Sequence, residues 1–227
     1  TQAANVSLYK TLPFDPEKDF APIASMATVP YILVVNPARV PVSTFQEFVA
    51  FVKSRPGELS YASSAITGRL AGEILKQRMG LQATFVPYKT LAQVVSDIIG
   101  GHLDYAFGDP QGYLPHVHSG RLRAIAVTTR ARIAAASDIP TLAESGVADF
   151  DVSAWLALYG KAGMPAFAIQ RFNQLINEVL EAPEGQAFLT SIGLQPLLGK
   201  PDQLAALQKR DTLAWAQAIR AAGITIE

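Results

Sequence analysis

Between Tyr31 and Thr128 the chain switches period repeatedly, and this switching limits the fold more than any other feature. Residues 31–35, 59–62, 84–86, 103–107 and 123–128 are β-branched or alternating runs and read as strands. Stretches with apolar residues at helical spacing lie between them. In Thr44–Lys53, the side chains of Phe45, Phe48, Val49 and Val52 share one face, and Thr44 with Glu47 makes a capping box. Pro56-Gly57 ends that helix. Gly68–Arg78 turns Leu70, Ile74 and Leu75 inward and closes at Gly80; Leu91–Ile99 closes at Gly100-Gly101. Such alternation predicts an α/β fold with mainly parallel pairing. After a further strand at 152–159, helices dominate: Ala166–Leu180, a short one from Pro183, and a last one from Pro201.

The runs at 31–35 and 123–128 bracket four compact strand–helix units. This arrangement predicts two lobes: residues 1–35 with 128–227 form a discontinuous and incomplete one, residues 36–127 the other. Two hinge strands between lobes are what a cleft-forming binding protein needs.

Composition removes several classes of function. Nineteen basic residues balance nineteen acidic ones, so no basic field marks nucleic acid or an anionic membrane as a partner. Cysteine is absent, which excludes disulfides, thiolate chemistry and cysteine-held metals. The apolar runs, such as Val29–Val35, are too short to span a bilayer, and no leader opens the chain. An exported protein with this start is a mature or trimmed form. His102, His116 and His118 form no metal-ligand spacing and no nucleophile–base set, so neither catalytic residues nor a metal or other cofactor are expected.

Three strand-to-helix junctions carry the candidate chemistry. The first, Tyr61–Gly68, is a strand end followed by small and hydroxyl residues, with Ser63, Ser64, Ala65, Thr67 and Gly68 as candidates. A helix start offers unpaired N–H groups and partial positive charge, which suits a carboxylate or phosphate. The same composition also fits an ordinary helix cap. At the second, Tyr88 and Lys89 are a stacking or donating phenol and a cation, or else a packing ring beside a surface charge. At the third, Asp109 is a cap for the next helix or an acceptor for a ligand. All three belong on one sheet edge, outside the carboxyl ends of the strands. Trp155 lies in a later strand and is a core residue or a cleft residue.

Several unrelated motifs recur in order: LYKTLPFDPEKDFAPI at 8–23, VVNP at 34–37, RPGELSYASS at 55–64, VPYK at 86–89, IIGGHLDYAFGD at 98–109, LPHVHSGRLRAIAVTT at 114–129, DIPTLAESG at 138–146 and GMPA at 163–166. Together they resemble the tripartite tricarboxylate transporter substrate-binding family, also called the Bug family, over essentially the whole chain. The resemblance implies a type II periplasmic binding-protein fold with two lobes. It implies a receptor for a dicarboxylate, tricarboxylate, amino acid or aromatic acid, located in the periplasm, monomeric at full length and in some members serving a membrane permease. It further implies that backbone amides and hydroxyls hold the carboxylate. Two departures stand out. The opening strand and loop of the family are expected to be missing here. Arg69 stands where the family carries His, and is a candidate carboxylate partner. The other readings are a sensing domain of the same fold and a small α/β enzyme.

Overall fold

The computed structural model describes residues 2–224. The chain forms two compact units. One is Val29–Ala154 with Thr190–Leu194; the other is Trp155–Leu189 with the stretches before Val29 and after Leu194.

The first unit holds a five-stranded sheet ordered β4-β3-β5-β2-β6, with β2 (Ile32–Val35), β3 (Ser60–Ser63), β4 (Thr84–Pro87), β5 (Tyr105–Gly108) and β6 (Arg123–Val127). Every residue of β2 is buried, and its side chains alternate between two cores. Leu33 and Val35 join Phe45, Phe48, Tyr61 and Tyr105 in one, while Ile32 and Val34 join Val94, Ile98 and Tyr113 in the other. A sheet covered on both faces explains why this run reads as continuously apolar. Helices α1 (Phe45–Lys53) and α2 (Ile66–Met79) contribute to the first core, and α3 (Leu91–Ile99) and α4 (Pro110–His118) to the second.

Pairing in this sheet is mixed, not mainly parallel. β3 runs parallel to β4 and β5, whereas β2 is antiparallel to β5 and β6. α2 also starts two residues before the expected Gly68, at Ile66. Its early turn packs tightly: a Cβ on Gly72 would lie 2.2 Å from the Tyr61 ring. The Tyr61 hydroxyl donates to Glu73 Oε1 at 2.6 Å, and its ring stacks on Tyr105 with centroids 5.2 Å apart.

The second unit contains a three-stranded sheet ordered β7-β1-β8: β1 (Phe20–Val29), β7 (Ala154–Lys161) and the short β8 (Gln195–Pro196). β1 pairs antiparallel with β8. Helices α5 (Ala166–Glu181), α6 (Pro183–Ser191) and α7 (Pro201–Ala221) follow. Asn173 Nδ2 ties α5 to β1 by donating to Ile23 O at 2.9 Å and to Gly199 O at 2.7 Å.

Candidate functional site

The register fixes one edge of the five-stranded sheet as a meeting point. Ser63 opposes Pro87, and Ala62 opposes Ala106, so β3, β4 and β5 end together. Because β2 is antiparallel, its first residues arrive at the same edge, with Ile32 opposite both Gly108 and Val127. Tyr31 therefore belongs to this edge, a residue the motif reading did not select.

Three of the four helices wholly within this unit begin with a side-chain cap. Thr44 accepts from Glu47 N, Thr90 from Gln93 N and Asp109 from Gly112 N. α2 is different: Ala65 occupies its N-cap position in extended backbone, φ −128° and ψ 148°, and no side chain caps the first turn. Alanine is among the poorest N-caps because it has no acceptor to offer the N2 and N3 amides. Those amides lie at the carboxyl edge of the sheet, at the positive end of a helix of 14 residues.

The residues around this start divide into donors and packing elements. Ser63 is buried; its Oγ donates to Ala65 O at 3.1 Å and accepts from Ala65 N at 3.2 Å, so it holds the turn. Ser64 is partly exposed. Thr67 is buried, and its hydroxyl reaches the phenol of Tyr31. Gly68 is small for a packing reason: a Cβ there would fall 2.2 Å from Ser63 Oγ and 2.9 Å from Phe107 O.

Arg69 leaves the helix start and lies over the Phe85 ring, its guanidinium carbon 4.7 Å from the centroid. Tyr88 donates to Asp97 Oδ2 at 2.5 Å, fastening the loop after β4 to α3. Burial, reinforced by that carboxylate, pushes its phenol up to about 12. Lys89 is exposed. Asp109 caps α4 through Gly112 N at 3.0 Å, so the capping alternative describes it. Trp155 belongs to the other unit, where its indole N–H donates to Asp211 Oδ2 at 2.9 Å.

Two phenols complete the edge. Burial holds Tyr31 protonated up to about 12, with the Asp109 charge acting in the same direction and Thr67 against it. Tyr113 is fully buried, its ring against Gly108, and its hydroxyl has no hydrogen-bond partner. Burial and Asp109 raise its pKa well above the ordinary tyrosine value. Both phenols are thus neutral at physiological pH. The edge offers backbone amides and hydroxyls in place of a dedicated cation, the arrangement that suits an anion at a helix start.

The family model described as the tripartite tricarboxylate transporter family receptor matches residues 1–224. The chain belongs to this receptor family. The Bug proteins are among its relatives: BugT of Bordetella pertussis is 29% identical over 227 residues, 99% of this chain and 69% of BugT. A Pseudomonas sp. (strain P51) protein from the tcbD-tcbE intergenic region is 30% identical over 93% of this chain and 63% of its own length. With an Agrobacterium vitis relative, the chain spans 60 to 69% of the length of these curated proteins. Among solved structures, R. palustris Rpa4515 with adipate is 30% identical with a TM-score of 0.93, covering all of this chain and 76% of that one. The periplasmic binding protein BugD is 26% identical with a TM-score of 0.88, covering all of this chain and 77% of BugD. These likenesses establish the type II binding-protein architecture of the receptor family. Among the described residues, no helix is long and apolar enough to cross a membrane.

Proposed function

We propose that this protein is a periplasmic solute receptor that captures a small dicarboxylate for uptake and performs no chemistry on it. The observation that carries the reading is the uncapped start of α2 at the shared sheet edge, in a chain that belongs to a receptor family. One carboxylate of the ligand takes the place of the missing cap and accepts from the first-turn amides. Ser64 and the Thr67–Tyr31 pair supply hydroxyls beside it, and Ser63 and Gly68 hold the turn open by packing. The adipate named with a 30% identical protein supports an aliphatic dicarboxylate. In this reading Lys89, exposed next to the end of β4, attracts the anion before it docks. The handover partner in this reading is a membrane permease of the tripartite type.

The test is calorimetric titration of the purified protein with adipate, then with shorter and longer dicarboxylates and with citrate. Saturable binding of at least one, with the acid recovered unchanged, supports the reading. Failure of every acid to bind, or conversion of one into product, overturns it.

A further inference from the structure

On the second core's side of the unit, α3 and α4 meet at Gly112. A Cβ at that position would lie 2.2 Å from Leu91 Cδ2, so the glycine permits the close approach. Beside this contact runs a groove of about 570 Å³. That volume falls in the range of roughly 300–1,000 Å³ typical of small-molecule sites.

The groove combines an apolar row with two basic side chains. Leu91, Val95 and Ile99 are spaced four apart along α3 and form a single row, each only partly buried. Ala92 lies exposed beside it. His116 and Arg121 line the other part. His116 Nδ1 is shut off from solvent and has no hydrogen-bond partner, an arrangement that costs stability unless something pairs with it. Arg121 is exposed, and its Nε donates to Ser119 Oγ at 3.1 Å, leaving the two terminal nitrogens as donors.

We propose that this groove binds a monoanionic amphiphile, an alkyl chain ending in one carboxylate, with the head at Arg121 and His116 and the tail along Leu91, Val95 and Ile99. The charge count selects one anion: Arg121 supplies the cation that lines the groove, and burial, with Arg121 close by, holds His116 below its usual range, toward the neutral ring. A second charge carried on the tail would lie on aliphatic side chains without a partner. The row extends about 12 Å, from eight residues at 1.5 Å each. It is one side chain wide, which fits a chain better than the broad apolar face of a helix.

Octanoate is the probe, titrated into the protein with and without adipate. Octanoate is expected to bind, hexanoate about tenfold more weakly for its two missing methylenes, and adipate not to compete. Arg121→Gln should weaken octanoate about tenfold or more. Ala92→Trp, at an exposed position, should fill the groove and abolish octanoate binding while leaving adipate binding as it was. Absence of octanoate binding, displacement by adipate, equal affinity for hexanoate, or indifference to both substitutions overturns the proposal. An acidic helical peptide that binds where octanoate does not would overturn it as well. The groove stands apart from the α2 site, so octanoate binding without adipate binding upholds this inference and defeats the dicarboxylate reading.

Discussion

Ala65 is where local stability and ligand capture compete. Its backbone already has the extended conformation that a capping residue needs, yet its side chain offers no acceptor. Ala65→Asp should therefore change two properties in opposite directions. The new carboxylate accepts from the first turn and meets the positive helix end, raising stability by about 1 kcal/mol. The same carboxylate occupies the amides assigned to the ligand and repels it, lowering adipate affinity on the order of a hundredfold. Thermal unfolding and titration on one preparation read both. A variant that is more stable and still binds adipate as before would move the anchor away from α2. At this scale the sequence was legible in chemistry but not in direction. The run of small and hydroxyl residues marked this turn as a candidate, but Ser63 Oγ and Gly68 face its interior, and the backbone is what they leave open. Side-chain composition does not reveal which atoms a turn turns inward. Nor does composition show that the Arg69 guanidinium lies over the Phe85 ring.

At the level of elements, the helices were readable because their caps and apolar stripes are local. The Thr44–Glu47 capping box and the bounds of α3 appear as their spacing indicates. Strand direction was not readable, because it depends on which neighbour a strand finds across the sheet. The antiparallel course of β2 brings Tyr31 to the candidate edge, and β1, with Pro22 near its start, carries no clean alternation to mark it. What fixes the junction of β3 and β5 is Asp104, just before β5. Its carboxylate is 3% exposed; it accepts from Ser60 N at 2.8 Å, Ser60 Oγ at 3.1 Å and Arg39 Nε at 2.8 Å. Asp104→Ala leaves those donors without their acceptor and should cost about 3 kcal/mol. Arg39 is half exposed, so Arg39→Ala should cost less than about 1 kcal/mol, because Asp104 keeps its bonds to Ser60. Urea unfolding of the two variants measures the difference. Equal losses would mean that the ion pair, not the bonds to the β3 backbone and hydroxyl, secures the junction.

For the whole molecule, the unit that contains β7 and α5 presents more apolar surface than solubility favours. Leu156 and Leu158 lie two apart on β7, on one face, and are 46% and 36% exposed. On α5, Phe172, Leu175 and Val179 fall at helical spacing and Phe167 is 76% exposed. β7 is also an edge strand, with unpaired backbone groups along one side. Scattered apolar side chains are normal on a surface, but rows on an edge strand and on a helix of the same unit favour association. The 227-residue chain should therefore self-associate with rising concentration, and sedimentation velocity over a wide concentration range would show it. Leu158→Lys combined with Val179→Lys should restore a single slow species. Lysine on an edge strand opposes pairing with another copy, and the second charge interrupts the α5 row. Neither residue belongs to the unit that carries the α2 start, so adipate binding per chain should stay as it was. A chain that sediments as a monomer throughout would show that these rows do not drive association. A double variant that still associates would place the contact elsewhere on the molecule.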